Sequence, residues 1–261
     1  MAAYFSLTNY DGLMPFNQAR FVGIANYAAI FRQPAFVESL LITVKYAILV
    51  VPMVLLASLL LAWMQTAFLK QRIYRALIYV PSTISAIIVG IIWRWFFDSD
   101  FGIINSMLTG FGFPIVRWFE DPNLAFLVVM IATIWSRTGY FMVLFIAAME
   151  NIPGQYYEAA NLDGANAGQS FLHITVPLLK PTTFLVFILN FIDSFRLYAM
   201  TYSLTRGGPM RATTLLVQHI YETSFISFRM NLGNAMSMVL FVMVLVFTIL
   251  QYKIGSGGEI K

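Results

Sequence analysis

The residues of this sequence that could do chemistry are few and lie far apart. There is no cysteine, which excludes a thiol nucleophile, a disulfide framework and a cysteine metal site. The two histidines, His173 and His219, are distant in sequence and match no metal-ligand spacing. No phosphate-binding glycine loop with its lysine and no nucleophile elbow is present. The sequence therefore predicts neither catalysis nor a metal or cofactor held by this chain.

The ionisable residues that stand out lie inside apolar segments. They are Lys45 in one segment, Arg137 in a second, and Asp193 with Arg196 in a third. A charge at the centre of a membrane helix costs about 2.5–3.5 kcal/mol on insertion scales, so such residues usually face a cavity or a partner. Asp193 and Arg196 are three positions apart and can pair along one helix face. An intrahelical pair and a hydrophilic passage both remain open as interpretations.

The composition indicates that the segments carrying these residues lie in a lipid bilayer. The chain has 261 residues, of which 59% are hydrophobic and 11% charged, and its mean hydropathy is +0.75. A soluble domain carries about 25% charged residues, so most of this surface faces something other than water. The net charge of +4 is modest and scattered, which argues against a nucleic-acid partner. We predict a multi-pass protein of the cell membrane.

Five apolar segments are long enough to cross a bilayer as helices. They are residues 39–65, 75–97, 124–149, 182–204 and 233–252. Because only a helix satisfies its backbone hydrogen bonds within one span, we predict an all-α integral membrane bundle of five transmembrane helices. Residues 1–38 contain no apolar run of about 20 residues and are predicted to lie outside the bilayer.

Residues 150–181, here called the EAA segment, form the longest water-facing stretch in the second half of the chain. Glu158-Ala159-Ala160 sits in a helix-favouring run, and Asp163-Gly164 signals a turn. A second helical run follows, and Pro177 stands where a first helical turn tolerates proline. These signals predict a helix–turn–helix loop that docks a partner.

The pattern of the EAA segment resembles the cytoplasmic signature of binding-protein-dependent ABC importer permeases. The matching residues are Glu158, Ala159, Ala160, Asp163, Gly164, Ala165, Phe171 and Pro177. The resemblance implies that this element couples the permease to a cytoplasmic ATPase subunit, with Glu158 opposite a basic group of the ATPase. The small alanines would allow close approach, and Gly164 would supply a turn with positive φ.

The same resemblance implies the partners of the chain. A second homologous permease would complete the channel, two ATPase subunits would bind ATP and magnesium, and an extracytoplasmic solute-binding protein would deliver the solute. This chain itself would be a transport subunit without enzymatic activity and without a cofactor of its own.

Three further stretches resemble carbohydrate-type permeases. They are residues 21–27 (FVGIANY), the Asp121-Pro122 pair with Ala125 and Trp135, and residues 205–209 (TRGGP). In this register the first helix of the family is missing, so either the start is trimmed or the protein works without that helix. The expected organisation is an extracytoplasmic segment 1–38, a permease domain 39–253 with coupling loop 150–181, and a cytoplasmic tail 254–261.

The resemblance to maltose-type permeases also implies a substrate path. Its positions in this chain are Arg137, Tyr140, Asn190, Ser194 and Leu197. The first two share a helix face at i, i+3, and the other three recur at i, i+4 and i+7. Amide, hydroxyl and guanidinium groups suit sugar hydroxyls, and a tyrosine ring can stack on a pyranose face. Ala199 replaces an aspartate common in the family, so a role for Asp193 in its place and a substrate site on the partner permease both stay open.

Basic residues indicate the orientation only weakly. Lys70, Arg72 and Arg75 favour a cytoplasmic loop, but the loops on the other side also carry arginines. The resemblance places the EAA segment in the cytoplasm and the amino terminus outside. It implies ATP-coupled import of a sugar or related polyol by alternating access. The alternatives are a secondary transporter, for which no inverted repeat is found, and a non-transporting membrane scaffold or sensor, which does not explain the EAA pattern.

Overall fold

The computed structural model describes residues 1–67 and 72–255, and this part of the chain is almost entirely helical. The α-helices are α1 (Ala2–Phe5), α2 (Ala25–Phe31), α3 (Pro34–Ala67), α4 (Arg72–Tyr79), α5 (Ala86–Phe96), α6 (Ile103–Gly110), α7 (Pro122–Glu150), α8 (Gln155–Leu162), α9 (Ala167–Ser170), α10 (Val176–Leu178), α11 (Lys180–Phe195), α12 (Ala199–Thr205), α13 (Leu216–Tyr221) and α14 (Met230–Gly255). Short 3₁₀ turns occur at Phe16–Gln18 and Val80–Thr83, and π-helical turns at Phe171–Thr175 and Glu222–Ile226. The all-α prediction is confirmed for the described residues. Lys70 and the predicted tail beyond Gly255 lie outside them.

Three helices are long and apolar enough to cross a membrane as they stand. These are α3, α7 and the Met230–Gln251 part of α14. Two further candidates are pairs of helices interrupted by a short break: Arg72–Thr83 with Ala86–Phe96, and Ala167–Leu178 with Lys180–Phe195. The described ranges therefore hold three spans, or five if each pair is one span.

The predicted span 75–97 is not one uninterrupted helix, because a break lies in its first half. After α4 the chain makes the Val80–Thr83 turn, and Ile84 is extended with ψ of 139° before α5 begins. Pro81 lies at the start of this turn and has no amide hydrogen with which to continue the α-helical hydrogen bonds of α4.

The predicted span 182–204 is not one uninterrupted helix either. α11 ends at Phe195 and α12 begins at Ala199, with Tyr198 between them at φ −142°. Neither glycine nor proline marks this second break, so no residue type in the sequence signals it.

The chain forms two compact units. One contains Met1–Ala47, Ala86–Val129 and the described residues from Ile192 onward, and the other contains the described residues of Ile48–Ser85 and Met130–Phe191. In the first unit, α2, α3, α13 and α14 share an apolar core. Its buried residues are Ile30, Phe36, Leu216, Leu232, Ala235 and Met236.

A buried asparagine ties the amino-terminal segment to this core. The Nδ2 group of Asn26 donates to the carbonyl oxygens of Ser6 and Thr8 at 2.8 and 2.7 Å, and its Oδ1 accepts from Nδ2 of Asn231 at 2.9 Å. Every polar atom of the Asn26 side chain thus has a partner, as a buried amide requires. The amino-terminal segment is therefore held against α14 by hydrogen bonds as well as by apolar contacts.

A second polar cluster follows α12 in the same unit. Nη2 of Arg211 lies 3.0 Å from Nδ1 of the buried His219, and Nη1 of Arg211 lies 3.8 Å from the Glu222 carboxylate. Burial, together with the Arg211 charge, lowers the pKa of His219, and Glu222 acts in the opposite direction. His219 is therefore a structural residue of this cluster and stays neutral near pH 7.

In the second unit, α4 and α7 approach closely at Gly139. A Cβ atom at this position would lie 2.9 Å from both the Ile78 carbonyl carbon and the Tyr79 Cα, and it would overlap the Ile78 carbonyl oxygen. The contact is made with backbone atoms, which cannot rotate away as a side chain can. Only glycine permits this helix packing.

Candidate functional site

The EAA segment contains two helices joined by a glycine turn. α8 ends in a Schellman motif, in which the Ala165 amide donates to the Ala160 carbonyl at 2.9 Å and the Gly164 amide to the Asn161 carbonyl at 3.1 Å. Gly164 has φ of +80°, the left-handed conformation that this motif requires. The predicted turn at Asp163-Gly164 is confirmed, and its geometry explains why glycine occupies it.

The helix that follows the turn begins with a capping box. Oδ1 of Asn166 accepts from the Gln169 amide at 2.9 Å, and Oε1 of Gln169 accepts from the Asn166 amide at 2.8 Å. Such reciprocal bonds satisfy amides that a helix start leaves without partners. Both sides of the turn therefore have a defined backbone conformation.

The outer surface of the EAA segment combines an exposed leucine with a carboxylate. Leu162, the last residue of α8, is 90% exposed. Glu158 is exposed in the first turn of α8, and within the described residues its carboxylate has no hydrogen bond or ion pair. Ala159, Asp163 and Pro177 are exposed as well, and Ala160 is half-buried. This surface therefore offers both an apolar side chain and a carboxylate that a partner protein could contact.

Aromatic stacking fastens the opposite side of the EAA segment to α3. The Phe171 ring, at the start of the π-helical turn, stacks on Trp63 with 4.7 Å between ring centroids and an interplanar angle of 27°. The Tyr157 hydroxyl of α8 lies 2.8 Å from Oγ1 of Thr175 at the end of the same turn. The π-helical turn therefore contacts both α8 and the end of α3.

An ion pair closes the base of this region. Nη2 of Arg75 lies 2.9 Å from Oε1 of Glu150, the last residue of α7. Both side chains are partly exposed, so the pair is worth at most about 1 kcal/mol. Beside it lies a cleft of about 490 Å³ between α8, the π-helical turn and the ends of α3 and α7.

The predicted substrate-path residues differ in exposure. Tyr140 is exposed on α7 and lines a cleft of about 400 Å³ together with Arg72, Arg75 and Tyr79. Arg137 is half-buried, one helical turn before it. An exposed tyrosine ring next to two arginines can offer both a stacking face and hydrogen-bond donors.

The other three predicted path residues are buried in the chain. Asn190 is fully buried and its Nδ2 donates to the Val51 carbonyl oxygen at 3.1 Å. Ser194 and Leu197 are buried too, and Leu197 lies beyond the end of α11. The predicted helix face i, i+4, i+7 is therefore corrected, because the helix stops before its third member.

The predicted intramembrane charges lie at the carboxyl end of α11. Asp193 is half-buried in its last turn, and Arg196 is exposed just after the helix. The Arg196 amide donates to the Asp193 carbonyl at 3.2 Å. Lys45 places its ammonium 4.8 Å from the centroid of the Phe126 ring, a cation–π contact between α3 and α7.

Sequence reasoning missed Leu162, Trp63 and the Tyr157–Thr175 contact. Leu162 had a detectable signal, since it is the one leucine in the otherwise polar, aromatic or small stretch from Gly154 to Ser170. The partners of Phe171 and Tyr157 are set by the tertiary structure and leave no local pattern.

The sequence of this chain is similar to those of known transport proteins. Residues 68–255 match the family described as binding-protein-dependent transport system inner membrane component. The sulfoquinovosyl glycerol transport system permease protein SmoG of Agrobacterium fabrum is 32% identical over 97% of this chain and 81% of its own length. The trehalose/maltose transport system permease protein MalF of Thermococcus litoralis is 34% identical over 90% of this chain and 80% of its own.

The fold has a counterpart among solved structures. A chain of a bacterial ABC transporter involved in the import of the acidic polysaccharide alginate superimposes with a TM-score of 0.85. The superposition covers 94% of this chain and 87% of the other, at 22% identity. With the family match over most of its length, this chain belongs to the inner membrane components of binding-protein-dependent transport systems, the permease subunits of ABC importers.

Proposed function

We propose that this permease imports a carbohydrate delivered by an extracytoplasmic binding protein, driven by ATP hydrolysis on separate subunits. Its relatives include permeases of sulfoquinovosyl glycerol and trehalose/maltose transport systems, which supports a carbohydrate as the substrate. A structural relative is a bacterial alginate ABC transporter in complex with an alginate pentasaccharide-bound periplasmic protein, which supports delivery by a binding protein. A second homologous permease completes the translocation path, and two ATPase subunits hold ATP and magnesium.

The exposed Leu162 and Glu158 of the EAA segment carry the coupling part of this proposal. In the proposed topology this segment is cytoplasmic, and its helix–turn–helix lies in a cleft of the ATPase. Leu162 fills an apolar pocket there, and Glu158 pairs with a basic group. Removing one member of such a buried pair costs about 3–5 kcal/mol. The Trp63–Phe171 stack and the Tyr157–Thr175 contact then pass motion of the ATPase to α3.

The ATPase contact is tested with Leu162→Ala. The substitution leaves α8 intact, because alanine is the best helix former, but removes the apolar group that the ATPase covers. Full burial of a leucine is worth about 1.5–3 kcal/mol, so we expect about tenfold weaker binding of the ATPase subunit. The measurement is co-purification of the ATPase with tagged permease complex, together with binding-protein-stimulated ATP hydrolysis in proteoliposomes.

Leu162→Met is the matched control, since it conserves volume and apolar character and should keep wild-type binding. Equal ATPase retention by the Ala and wild-type complexes would show that Leu162 faces something else. If the wild-type permease does not co-purify with any ATPase, and uptake of labelled sugars continues without ATP, the chain acts as a secondary transporter.

The exposed ring of Tyr140 is the part of the proposed substrate path that the structure leaves accessible. We expect Tyr140→Ala to lower sugar uptake by about fivefold through loss of a stacking face, while Tyr140→Phe retains most of it. Uptake of labelled maltose and trehalose by the reconstituted complex measures the effect, and ATPase co-purification reports assembly. Wild-type uptake by an assembled Tyr140→Ala complex would move the path away from this cleft.

A further inference from the structure

Four aromatic rings form a continuous strip where α12 and α13 meet. In order they are Tyr202, Tyr198, Tyr221 and Phe225, with successive ring centroids 5.5, 5.2 and 5.4 Å apart. Neighbouring rings are inclined to each other by 33–41°. These four residues, here called the aromatic strip, come from two stretches of sequence that only the fold brings together.

A π-helical turn builds one end of the strip. The Ser227 amide donates to the Glu222 carbonyl at 2.9 Å, five residues earlier, as this turn requires. Phe225 lies within this turn, four residues after Tyr221, so the two rings are neighbours along the helix. Single π-turns inside helices are rare, and those that occur are often found at functional sites.

The strip is open to its surroundings. Tyr202 and Tyr221 are each 39% exposed and Phe225 is 55% exposed, while Tyr198 is half-buried between them. Rings in a folded core bury most of their surface. The structure therefore keeps four adjacent aromatic rings accessible to a molecule outside the chain.

Charged and polar groups flank the strip. Glu222 follows Tyr221 directly, and its carboxylate accepts from Nε2 of the buried Gln218 at 2.8 Å and lies 3.8 Å from Nη1 of Arg211. The side chains of Glu222 and Arg211 are 27% and 40% exposed. A charged pair against lipid tails is costly, and three of the four rings carry a hydroxyl group. The surroundings of the strip are therefore polar.

Aromatic faces next to a partly exposed carboxylate and guanidinium group suit a sugar ring. A pyranose has an apolar face of C–H groups that stacks on aromatic rings, and hydroxyls at its edge that bond to charged groups. Rings in series let a sugar pass from one face to the next without losing all contact. We propose that the aromatic strip is an outward-facing subsite that receives pyranose rings of the transported carbohydrate, separate from the Tyr140 cleft. This inference rests on the proposed function as a carbohydrate importer.

The test measures sugar binding to the assembled membrane complex in nanodiscs, without the binding protein. The probes are methyl α-D-glucopyranoside and methyl β-D-galactopyranoside, and the readout is saturation transfer from protein to their ring protons by NMR. We expect transfer with the wild type, and a reduction of about threefold in Tyr198→Leu and Tyr221→Leu, which remove a stacking face but keep an apolar side chain of similar reach. Tyr221→Phe retains the ring and should retain the transfer.

Phe241→Leu is the matched control, because it makes a similar change at an exposed ring on α14, away from the strip in sequence. No transfer with the wild type, or equal transfer in the wild type and both leucine variants, would overturn the proposal. In a separate pull-down with the binding protein, loss of its capture by the leucine variants together with unchanged glycoside transfer would assign the strip to protein docking and would also overturn the proposal.

Sugar uptake measured in parallel separates this proposal from the proposed function. If the wild-type complex with its binding protein imports labelled maltose or trehalose and the leucine variants show unchanged transfer, the strip proposal fails and carbohydrate import stands. If the wild-type complex imports only non-carbohydrate solutes, carbohydrate import fails, and the strip proposal fails with it.

Discussion

Gly164→Val is expected to reduce binding-protein-stimulated ATP hydrolysis by about a hundredfold. Gly164 has φ of +80° at the end of α8, and a β-branched side chain strongly disfavours this conformation. Holding such a residue there costs up to about 3 kcal/mol, so the turn opens and Leu162 and Glu158 are no longer presented together. No heavy atom other than its chain neighbours lies within 4 Å of a Cβ placed at Gly164, so the effect comes from the backbone alone.

Gly164→Asn is the matched control. Asparagine tolerates positive φ and is found at this position of Schellman motifs, so its complex should keep most of the stimulated hydrolysis. The measurement compares ATP hydrolysis with and without loaded binding protein in proteoliposomes, with ATPase retention as a check on assembly. If the valine complex shows full stimulation and uptake, the EAA segment is not the coupling element.

Gly139→Leu is expected to destabilise the transporter strongly and to lower its yield. Any Cβ at this position overlaps the Ile78 carbonyl oxygen and lies 2.9 Å from Tyr79 Cα, so α4 and α7 must separate. Overpacking of a core costs about 1–3 kcal/mol, and a clash with backbone lies at the upper end of this range or above it. We expect the thermal midpoint of the purified complex to fall by about 10 °C, with little material in the monodisperse peak on size exclusion.

Gly110→Leu tests whether any added leucine in a helix has this effect. Gly110 closes α6 and has open space where a Cβ would be, so its variant should assemble and melt like the wild type. A Gly139→Leu complex with a wild-type midpoint would show that α4 and α7 can separate at no cost.

Local pattern in the sequence was enough to predict the helical class and the turn in the EAA segment. Apolar length alone identifies the long helices α3, α7 and α14, because a span needs about 20 apolar residues whatever it packs against. The Asp163-Gly164 turn is likewise local, since the positive φ of a Schellman motif selects glycine through the sterics of one residue. The family resemblance rests on these same local features.

Two features were not predictable from the sequence. They are helix breaks that no proline or glycine marks, and the hydrogen-bond partners of buried polar side chains. The break between α11 and α12 contains no proline or glycine. Asn190 donates a hydrogen bond to the carbonyl oxygen of Val51, 139 residues away in sequence. Helical periodicity suggested that Asn190 lies on an accessible helix face, but periodicity cannot show a partner from a distant segment. A polar residue in an apolar segment has the same appearance in sequence whether it bonds to its own chain or to a substrate.

Residue order alone thus sufficed to identify a helical membrane protein with a glycine turn in the EAA segment. Helix length, backbone sterics and solvation act within a few residues, and each leaves a local pattern. Three other features became visible only in the folded chain: the stacking of Trp63 on Phe171, the approach of the α4 backbone to Gly139, and the aromatic strip. They depend on which distant segments of the chain come into contact. Those contacts are determined by the free energy of the whole folded chain, to which many small contributions add.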